Sequence, residues 1–224
     1  MTGPTPSAGR TQRWIVIAVA LVLIGALGFA VGRFTMFGTQ AAVTTPGTSS
    51  PEAGFSRDMQ AHHAQAIEMA MEIYRKTEDE ELRALSYDIA TSQAAQRGEM
   101  FDWLVRWGLP QAGGPMMQWM DTGSGHEHGG ASSEPLTDAQ AREAMGMASA
   151  DEIAALQAAT GTAADCQFLT LMIRHHEGAI PMAGALLELG SDPRALEVAQ
   201  AMKTGQTAEI DAMRSIQQRL GCSG

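Results

Sequence analysis

Two adjacent pairs of histidines occupy matching positions in two stretches of this sequence. Residues 59–70 read MQAHHAQAIEMA and residues 172–183 read MIRHHEGAIPMA, so both follow M-x-x-H-H-x-x-A-I-x-M-A, 113 residues apart. Imidazole nitrogens and thioether sulfurs are ligands that suit copper, and thioethers favour Cu(I) in particular. The candidate metal ligands are therefore His62, His63, His175, His176, Met59 and Met172.

A methionine stands three residues before each histidine pair, and its side chain indicates which kind of metal the site would prefer. Di-iron helical bundles carry Glu-x-x-His, with a carboxylate three residues before the histidine. Here Met59 and Met172 stand at those positions. This exchange removes a hard oxygen ligand and adds a soft sulfur, which argues against a di-iron oxidase and favours copper. The alternative is structural: the histidines could bond Gln96, Glu99, Gln206 and Glu209 in a buried network that only fixes helix pairing.

A second group of metal-binding residue types lies in a Gly-rich stretch, residues 111–134, which we expect to be a long mobile loop. Its candidates are Met116, Met117, Met120, His126 and His128. Short tracts rich in Met and His are typical of metal capture, although an incidental linker explains them equally well. Glu99 and Glu209 are further, weaker candidate ligands.

Helical periodicity predicts the elements that position these residues. We expect long helices over about 55–76, 78–107, 164–189 and 193–220, with short helices capped by Thr137 and Ser149 between the two hairpins. The composition, 45% hydrophobic but only 5% aromatic, suits an all-α fold. Two duplicated hairpins predict a four-helix bundle. In an up-down-up-down bundle the first and third helices are parallel, which would bring both histidine pairs into one layer.

The repeat extends to the second helix of each hairpin in this alignment. Gln96-x-x-Glu99 matches Gln206-x-x-Glu209 at an offset of 110. The offset is 113 for the first helices and 110 for the second helices. A difference of three residues in the turn between the two helices would explain this, and changes of loop length cost little free energy. Both Gln-x-x-Glu pairs would then approach the height of the histidines.

The two cysteines are expected to form a disulfide. Cys166 lies at the start of the third predicted helix and Cys222 at the end of the fourth, so they meet at one end of an antiparallel hairpin. A Cys166–Cys222 bridge requires an oxidising compartment.

An apolar run near the N-terminus predicts export. Residues 15–32 contain no charge and follow Arg10 and Arg13, which places the N-terminus in the cytoplasm. We expect a cytoplasmic segment at 1–13, a single-pass transmembrane anchor at 14–33, a flexible linker at 34–54 and the bundle domain at 55–224. Secretion after signal cleavage is the competing interpretation. In either case the domain lies outside the cytoplasm.

Charge and motifs exclude some classes of function. The formal net charge is −10, so the chain offers no basic face for a nucleic-acid partner and better suits a metal ion. The sequence contains no G-x-S-x-G, P-loop, G-x-G-x-x-G or H-E-x-x-H motif. We therefore expect a binding protein rather than an enzyme.

The sequence resembles a known family in the residues that carry these patterns. Residues 55–70 and ADCQFLTLMIRHHEGAIPMA resemble the two signature helices of domain-of-unknown-function family 305, and GMASADEIAALQAATG resembles its intervening segment. Cys166 departs from the aromatic or apolar residue usual there. The resemblance implies a ferritin-like bundle, export or membrane anchoring, and for some members copper binding. We thus expect a membrane-anchored extracytoplasmic protein that binds or sequesters copper; the alternative is a structural or interaction bundle without metal.

Overall fold

The chain forms seven α-helices in the parts that the structure, a computed structural model, describes: residues 8–37, 45–121 and 136–222. They are α1 Ala8–Phe37, α2 Pro51–Lys76, α3 Glu80–Arg106, α4 Asp138–Ala144, α5 Ala150–Ala158, α6 Gly161–Leu189 and α7 Pro193–Leu220, with a 3₁₀ turn at Gln118–Asp121. No strand occurs within those ranges, which confirms the all-α prediction. The chain divides into two compact units, Met1–Thr45 and Pro46–Gly224.

Helix α1 contains the apolar run that was predicted to cross the membrane. Over the residues that can be described, no helix combines the length and the apolar character needed to span a bilayer. The predicted transmembrane helix is therefore not confirmed. The first seven residues and residues 38–44, which include part of the predicted linker, lie outside the described residues.

Capping residues determine where the four long helices of the second unit begin and end. Helix α2 begins at Pro51, four residues earlier than predicted, because Ser50 caps it by accepting a hydrogen bond from the Ala53 amide and Pro51 suits the first turn. The predicted linker therefore ends before Pro51. Helix α7 ends at Gly221, whose φ of 67° is in the left-handed region that favours glycine.

The order of the helices differs from the expected up-down-up-down bundle. The N-terminal half of α2, with Phe55 and Met59, packs in one cluster with Ala183 and Leu186 from the C-terminal half of α6. Helices α2 and α6 are thus antiparallel neighbours, and the prediction that the first and third helices run parallel is wrong. The reason is the connection from α3 to α6, which is a long crossover over residues 107–160 rather than a short reversal.

A single offset of 113 relates the two hairpins along their whole length. His63 bonds Gln96 and His176 bonds Glu209, and both pairs are separated by 33 residues. Asp79 and Asp192, also 113 apart, cap α3 and α7. The predicted offset of 110 for the second helices is therefore wrong, because the two inter-helix turns have the same length. Gln96 is equivalent to Glu209, not to Gln206.

Two core clusters fill the bundle, one toward each end. The methionine end is the cluster formed by Phe55, Met59, Met100, Trp103, Trp119, Met145, Met147, Ala179, Met182, Ala183, Leu186, Ala195, Val198, Ala199 and Met202. The disulfide end is the cluster formed by Ala66, Met69, Ala70, Ile73, Leu82, Ile89, Ala90, Ala148, Leu156, Ala164, Phe168, Leu169, Leu171, Met172, Ile210, Met213 and Ile216. Cys222 packs against the latter. The predicted Cys166–Cys222 disulfide is confirmed, with Cα atoms 5.4 Å apart.

The crossover is fastened to both histidine-bearing helices. Its capping boxes at Thr137 and Ser149 agree with the prediction. The backbone of Ala148 exchanges two hydrogen bonds with the Gln65 side chain of α2, at 2.7 and 2.8 Å. On the other side, Gly178 of α6 allows close approach, since a Cβ atom there would lie 1.9 Å from the Met145 carbonyl oxygen. The segment 145–148 is thereby held across the middle of the bundle.

Candidate metal centre

The structure brings the four paired histidines together in one buried layer. His62 and His63 lie on α2, His175 and His176 on α6, and all four have no solvent exposure. The rings of His62 and His175 face each other with centroids 3.6 Å apart, and the rings within each pair are separated by 6.3 Å. The layer lies at the crossing of the two antiparallel helices, with the methionine end on one side and the disulfide end on the other.

The two outer histidines are oriented by polar side chains of the neighbouring helices. His63 Nε2 donates to Gln96 Oε1 at 2.8 Å, and His176 Nε2 donates to Glu209 Oε2 at 2.7 Å. Both partners are oxygen acceptors, so each Nε2 carries a proton, and in the neutral form of the ring the lone pair lies on Nδ1. Such a tether on one nitrogen is the arrangement that orients histidine ligands in metal sites.

The two inner histidines differ in how they are held. His62 Nε2 donates to the Met145 carbonyl at 3.0 Å. His175 has no hydrogen-bond partner on either ring nitrogen among the described residues. Within the same ranges, Nδ1 of His62, His63 and His176 is likewise buried without a partner. Buried polar atoms are normally satisfied, so this concentration of unpaired ring nitrogens calls for an explanation.

Burial lowers the pKa of three of the four histidines. Loss of solvent, together with the neighbouring histidines, lowers the pKa of His62 to about 4 and that of His63 to about 3. The same causes hold the pKa of His175 well below its usual value. These three imidazoles are neutral at neutral pH, which is the form that binds metal ions.

The two motif methionines do not share one position at the layer. Met59 and Met172 are both fully buried. Because α2 and α6 are antiparallel, Met59 belongs to the methionine end and Met172 to the disulfide end. The layer thus has a thioether on each side, where the sequence had suggested a single joint set.

The weaker candidates separate into three groups. Glu209 contacts the layer through His176, whereas Glu99 bonds Arg194 near the surface at 2.6 and 3.1 Å. Met116, Met117 and Met120 pack against the methionine end.

This part of the predicted loop is ordered on the bundle and includes the 3₁₀ turn, so the expectation of a mobile loop is wrong there. His126 and His128 lie outside the described residues.

Two features of the layer were not predicted. The Met145 carbonyl reaches His62 from the crossover; the only sequence signal was Gly178, a glycine inside a strong helix beside the second histidine pair. Gln206 was expected to bond a histidine. Instead Gln206 and its equivalent Gln93 are buried, and in the described parts of the chain neither amide has a hydrogen-bond partner.

The donor set decides which ions suit the layer. In the described part of the chain, no three His, Cys, Asp or Glu side chains are grouped so as to hold a metal ion. Neutral imidazole nitrogens with free lone pairs, flanked by buried thioethers, fit a soft ion that accepts few ligands. A surface depression of about 520 Å³ beside Tyr74 and Tyr87 does not include these groups.

Comparison with known proteins places this arrangement in a family. Residues 52–217 match the family described as Domain of unknown function (DUF305). The chain belongs to the DUF305 family. No functionally curated protein matches it.

Solved structures of the family share the fold. A DUF305 protein from Streptomyces coelicolor is 34% identical, with a TM-score of 0.68, over 79% of this chain and 98% of that one. A DUF305 fragment from Deinococcus radiodurans is 31% identical, with a TM-score of 0.61, over 75% and 96%. CopM in its Cu(I)-bound form is 25% identical, with a TM-score of 0.54, over 76% and 96%. CopM also has an Ag-bound form.

Proposed function

We propose that this DUF305 protein binds copper as Cu(I) in its histidine layer and sequesters the ion outside the cytoplasm. The observation that carries the proposal is the set of buried ring nitrogens without partners. Three of the rings are tethered through Nε2 to an oxygen, and within the described residues their Nδ1 atoms are buried without a partner. Thioethers on both sides of the layer favour the monovalent, softer ion. The similar protein CopM has Cu(I)-bound, Cu(II)-bound and Ag-bound forms, which supports copper as the metal.

Copper is cargo in this proposal, and the chain's own residues do the work of holding it. The Met145 carbonyl, Gln96 and Glu209 orient the rings of His62, His63 and His176 by accepting a hydrogen bond from Nε2. Burial excludes water from the layer. We assign binding rather than catalysis to it.

The location outside the cytoplasm rests on the disulfide. Cysteine bridges persist in oxidising compartments and are rare in the cytosol. The Cys166–Cys222 bridge and the N-terminal apolar run both suit an exported domain. Membrane attachment stays a prediction beside secretion after cleavage.

The second candidate function is a structural bundle without metal. The hydrogen bonds that His62, His63 and His176 make to neighbouring segments favour it, because they fix the register of the helices. It does not account for His175, which makes no hydrogen bond through its ring within the described residues.

Titration with Cu(I) against a competing chromophoric chelator separates the two functions. We expect the wild-type chain to bind tightly and the His62→Ala/His63→Ala/His175→Ala/His176→Ala variant to lose that binding. Glu209→Gln should weaken binding by about 10–100-fold, the usual cost of losing a partner that orients a ligand. Glu99→Gln is the matched control, since Glu99 pairs with Arg194 away from the layer. Equal, weak binding by the wild type and the four-histidine variant would refute copper binding by the layer.

A further inference from the structure

The burial of the histidine layer raises the question of how an ion reaches it. The four histidines and the two motif methionines have no exposed surface. An ion must therefore pass between packed side chains to reach the layer. The two ends differ in the side chains that they offer to a soft cation.

Methionines are concentrated on one side of the layer. Of the 15 methionines in the chain, nine belong to the methionine end or pack against it: Met59, Met100, Met116, Met117, Met120, Met145, Met147, Met182 and Met202. Four are found in the same way at the disulfide end: Met69, Met71, Met172 and Met213. Each of these methionines, taken alone, is explained by core packing, because the flexible side chain fits irregular spaces. Core packing does not explain why Met116, Met117 and Met120, all only partly buried, meet within five residues of chain at one end.

Several features hold the segment that carries these three residues. Asp58 Oδ2 accepts hydrogen bonds from the Met117 amide at 2.8 Å and from Trp119 Nε1 at 2.9 Å. Gly54 makes room for the indole, because a Cβ atom there would lie 2.3 Å from Trp119 Cγ. Met117 has a φ of 64°, and no other described non-glycine residue has a positive φ. Such a conformation costs free energy and persists only where its surroundings impose it.

The same segment touches both helices that carry the histidines. Its 3₁₀ turn contacts α2 and α6. Met59, which belongs to the cluster under the segment, precedes His62 by three residues and so lies one helical turn from the layer. Thioethers are therefore found at the surface, beneath it, and beside the first histidine.

We propose that Met116, Met117 and Met120 form a surface binding site for a soft monovalent cation, Cu(I) or Ag(I), and that this site is the port through which the ion enters the bundle. Binding at the port stands on the thioether segment alone, whereas its role in delivery rests on the proposed function of the histidine layer. Thioethers are neutral and soft, so the site selects against Na⁺, Mg²⁺ and Ca²⁺, which prefer oxygen.

The test uses Ag(I) with the full chain, its disulfide intact, because silver is a soft monovalent ion that does not change oxidation state here. Binding is followed by competition with a chelator and by NMR of ¹³C-labelled methionine methyl groups. We expect Met116→Leu/Met117→Leu/Met120→Leu to lose one equivalent of silver and to load the histidine layer more slowly. Leucine conserves the volume of methionine closely, so the fold should be kept. Met69→Leu/Met71→Leu/Met213→Leu is the matched control at the disulfide end and should bind and load as the wild type does.

A second variant separates the ligands from their position. Asp58→Ala keeps every thioether but removes the acceptor that holds Met117 and Trp119. We expect it to weaken the same equivalent by about 10–100-fold, in line with the loss of other orienting partners. Wild-type stoichiometry and loading rate in the triple methionine variant would overturn the port. Wild-type affinity in Asp58→Ala would overturn the claim that the folded segment makes the site.

The four-histidine variant keeps the two proposals distinct. If it loses the layer's copper but retains the port's silver, both proposals hold. If it retains all of its copper while the triple methionine variant loses silver, the histidine layer fails and only the port's binding stands. Loss of the port's silver in the four-histidine variant, with the fold intact by circular dichroism, would show that the port is not a site of its own.

Discussion

The methionine end and the disulfide end are built from equivalent halves of one repeat, yet they differ in what covers them. Asp58 holds the Met116–Met120 segment on α2, whereas the equivalent residue 113 positions later is Leu171, which is buried in the disulfide end. The disulfide end is joined covalently by Cys166–Cys222. The methionine end is closed by a segment that only hydrogen bonds and packing retain.

This difference shows how a bundle built from two similar hairpins comes to have two unlike ends. The duplicated helices supply a histidine layer with similar surroundings on both sides. The crossover and the segment after α3 then add thioethers and a hydrogen-bonded cover to one side alone. A cover held by few hydrogen bonds opens more readily than one that is cross-linked. The methionine end is accordingly the side from which we expect an ion to arrive.

Removing the disulfide should have the largest effect on stability. The bridge joins residues separated by 56 positions, and closing a loop of that length in the unfolded chain corresponds to about 4 kcal/mol. We expect Cys166→Ser/Cys222→Ser to lose up to that amount of unfolding free energy, measured by urea denaturation, while Cu(I) affinity of the folded protein is kept. A loss of stability below about 1 kcal/mol would show that the disulfide end does not depend on its cross-link.

A methyl group at Gly178 should have the next largest effect. It would lie 1.9 Å from the Met145 carbonyl oxygen and 2.2 Å from the carbonyl carbon, so the crossover would have to move away from the layer. We expect Gly178→Ala to cost about 3 kcal/mol of unfolding free energy, the upper range for overpacking. Copper affinity should fall as well, because His62 would lose its carbonyl acceptor.

Gly184→Ala is the matched control in the same helix. No atom lies within 4 Å of the Cβ position there, so alanine should be neutral or should stabilise α6 by up to about 1 kcal/mol. Equal stabilities for the two alanine variants would contradict the close approach of the crossover at Gly178.

The smallest effect concerns the pH dependence of the metal-free layer between the two ends. The folded-state pKa values of His62, about 4, and His63, about 3, lie below their usual 6.5. The unfolded chain therefore binds more protons as the pH falls. Stability is fully present above about pH 6.5 and is lost as the pH drops toward the folded-state pKa values, by about 1.4 kcal/mol per pH unit for each proton taken up.

Urea unfolding of the metal-free protein at about pH 7.0, 6.0, 5.0 and 4.5 measures that slope. Over about this range we expect the histidines to dominate the pH dependence of the unfolding free energy. His63→Gln should reduce the slope by the equivalent of one proton taken up on unfolding. Hydrogen exchange should show which end of the bundle opens first. A flat profile would mean that the layer is solvated and charged in the folded protein.

Much of the fold followed from local sequence. Helix periodicity and the caps at Thr137 and Ser149 predicted the elements of the bundle within a few residues. The main local error was the start of α2, where Ser50 and Pro51 form a helix start that had been assigned to the linker. The cysteine pairing also followed, because the ends of adjacent antiparallel helices must meet.

The direction of the helices did not follow from local sequence. Periodicity specifies which face of a helix is buried but not which neighbour covers it, so the antiparallel packing of α2 and α6 was missed. That error made Met59 and Met172 a single ligand set, whereas the wrong offset of 110 placed Glu99 at the layer. It left the meeting of the four histidines unchanged, because residues near the middle of two helices come to the same height in either orientation.

The sequence by itself determined the residue types of the site: two histidine pairs, their thioether neighbours and an acidic chain without catalytic motifs. These depend on spacing within single helices, which the 3.6-residue period makes readable. Only the tertiary structure decided which nitrogens remain unpaired, because the acceptors come from α3, α7 and the crossover, as far as 83 residues away along the chain. It also decided that one end of the layer faces the methionines, since that asymmetry arises from long-range contacts that no local pattern records.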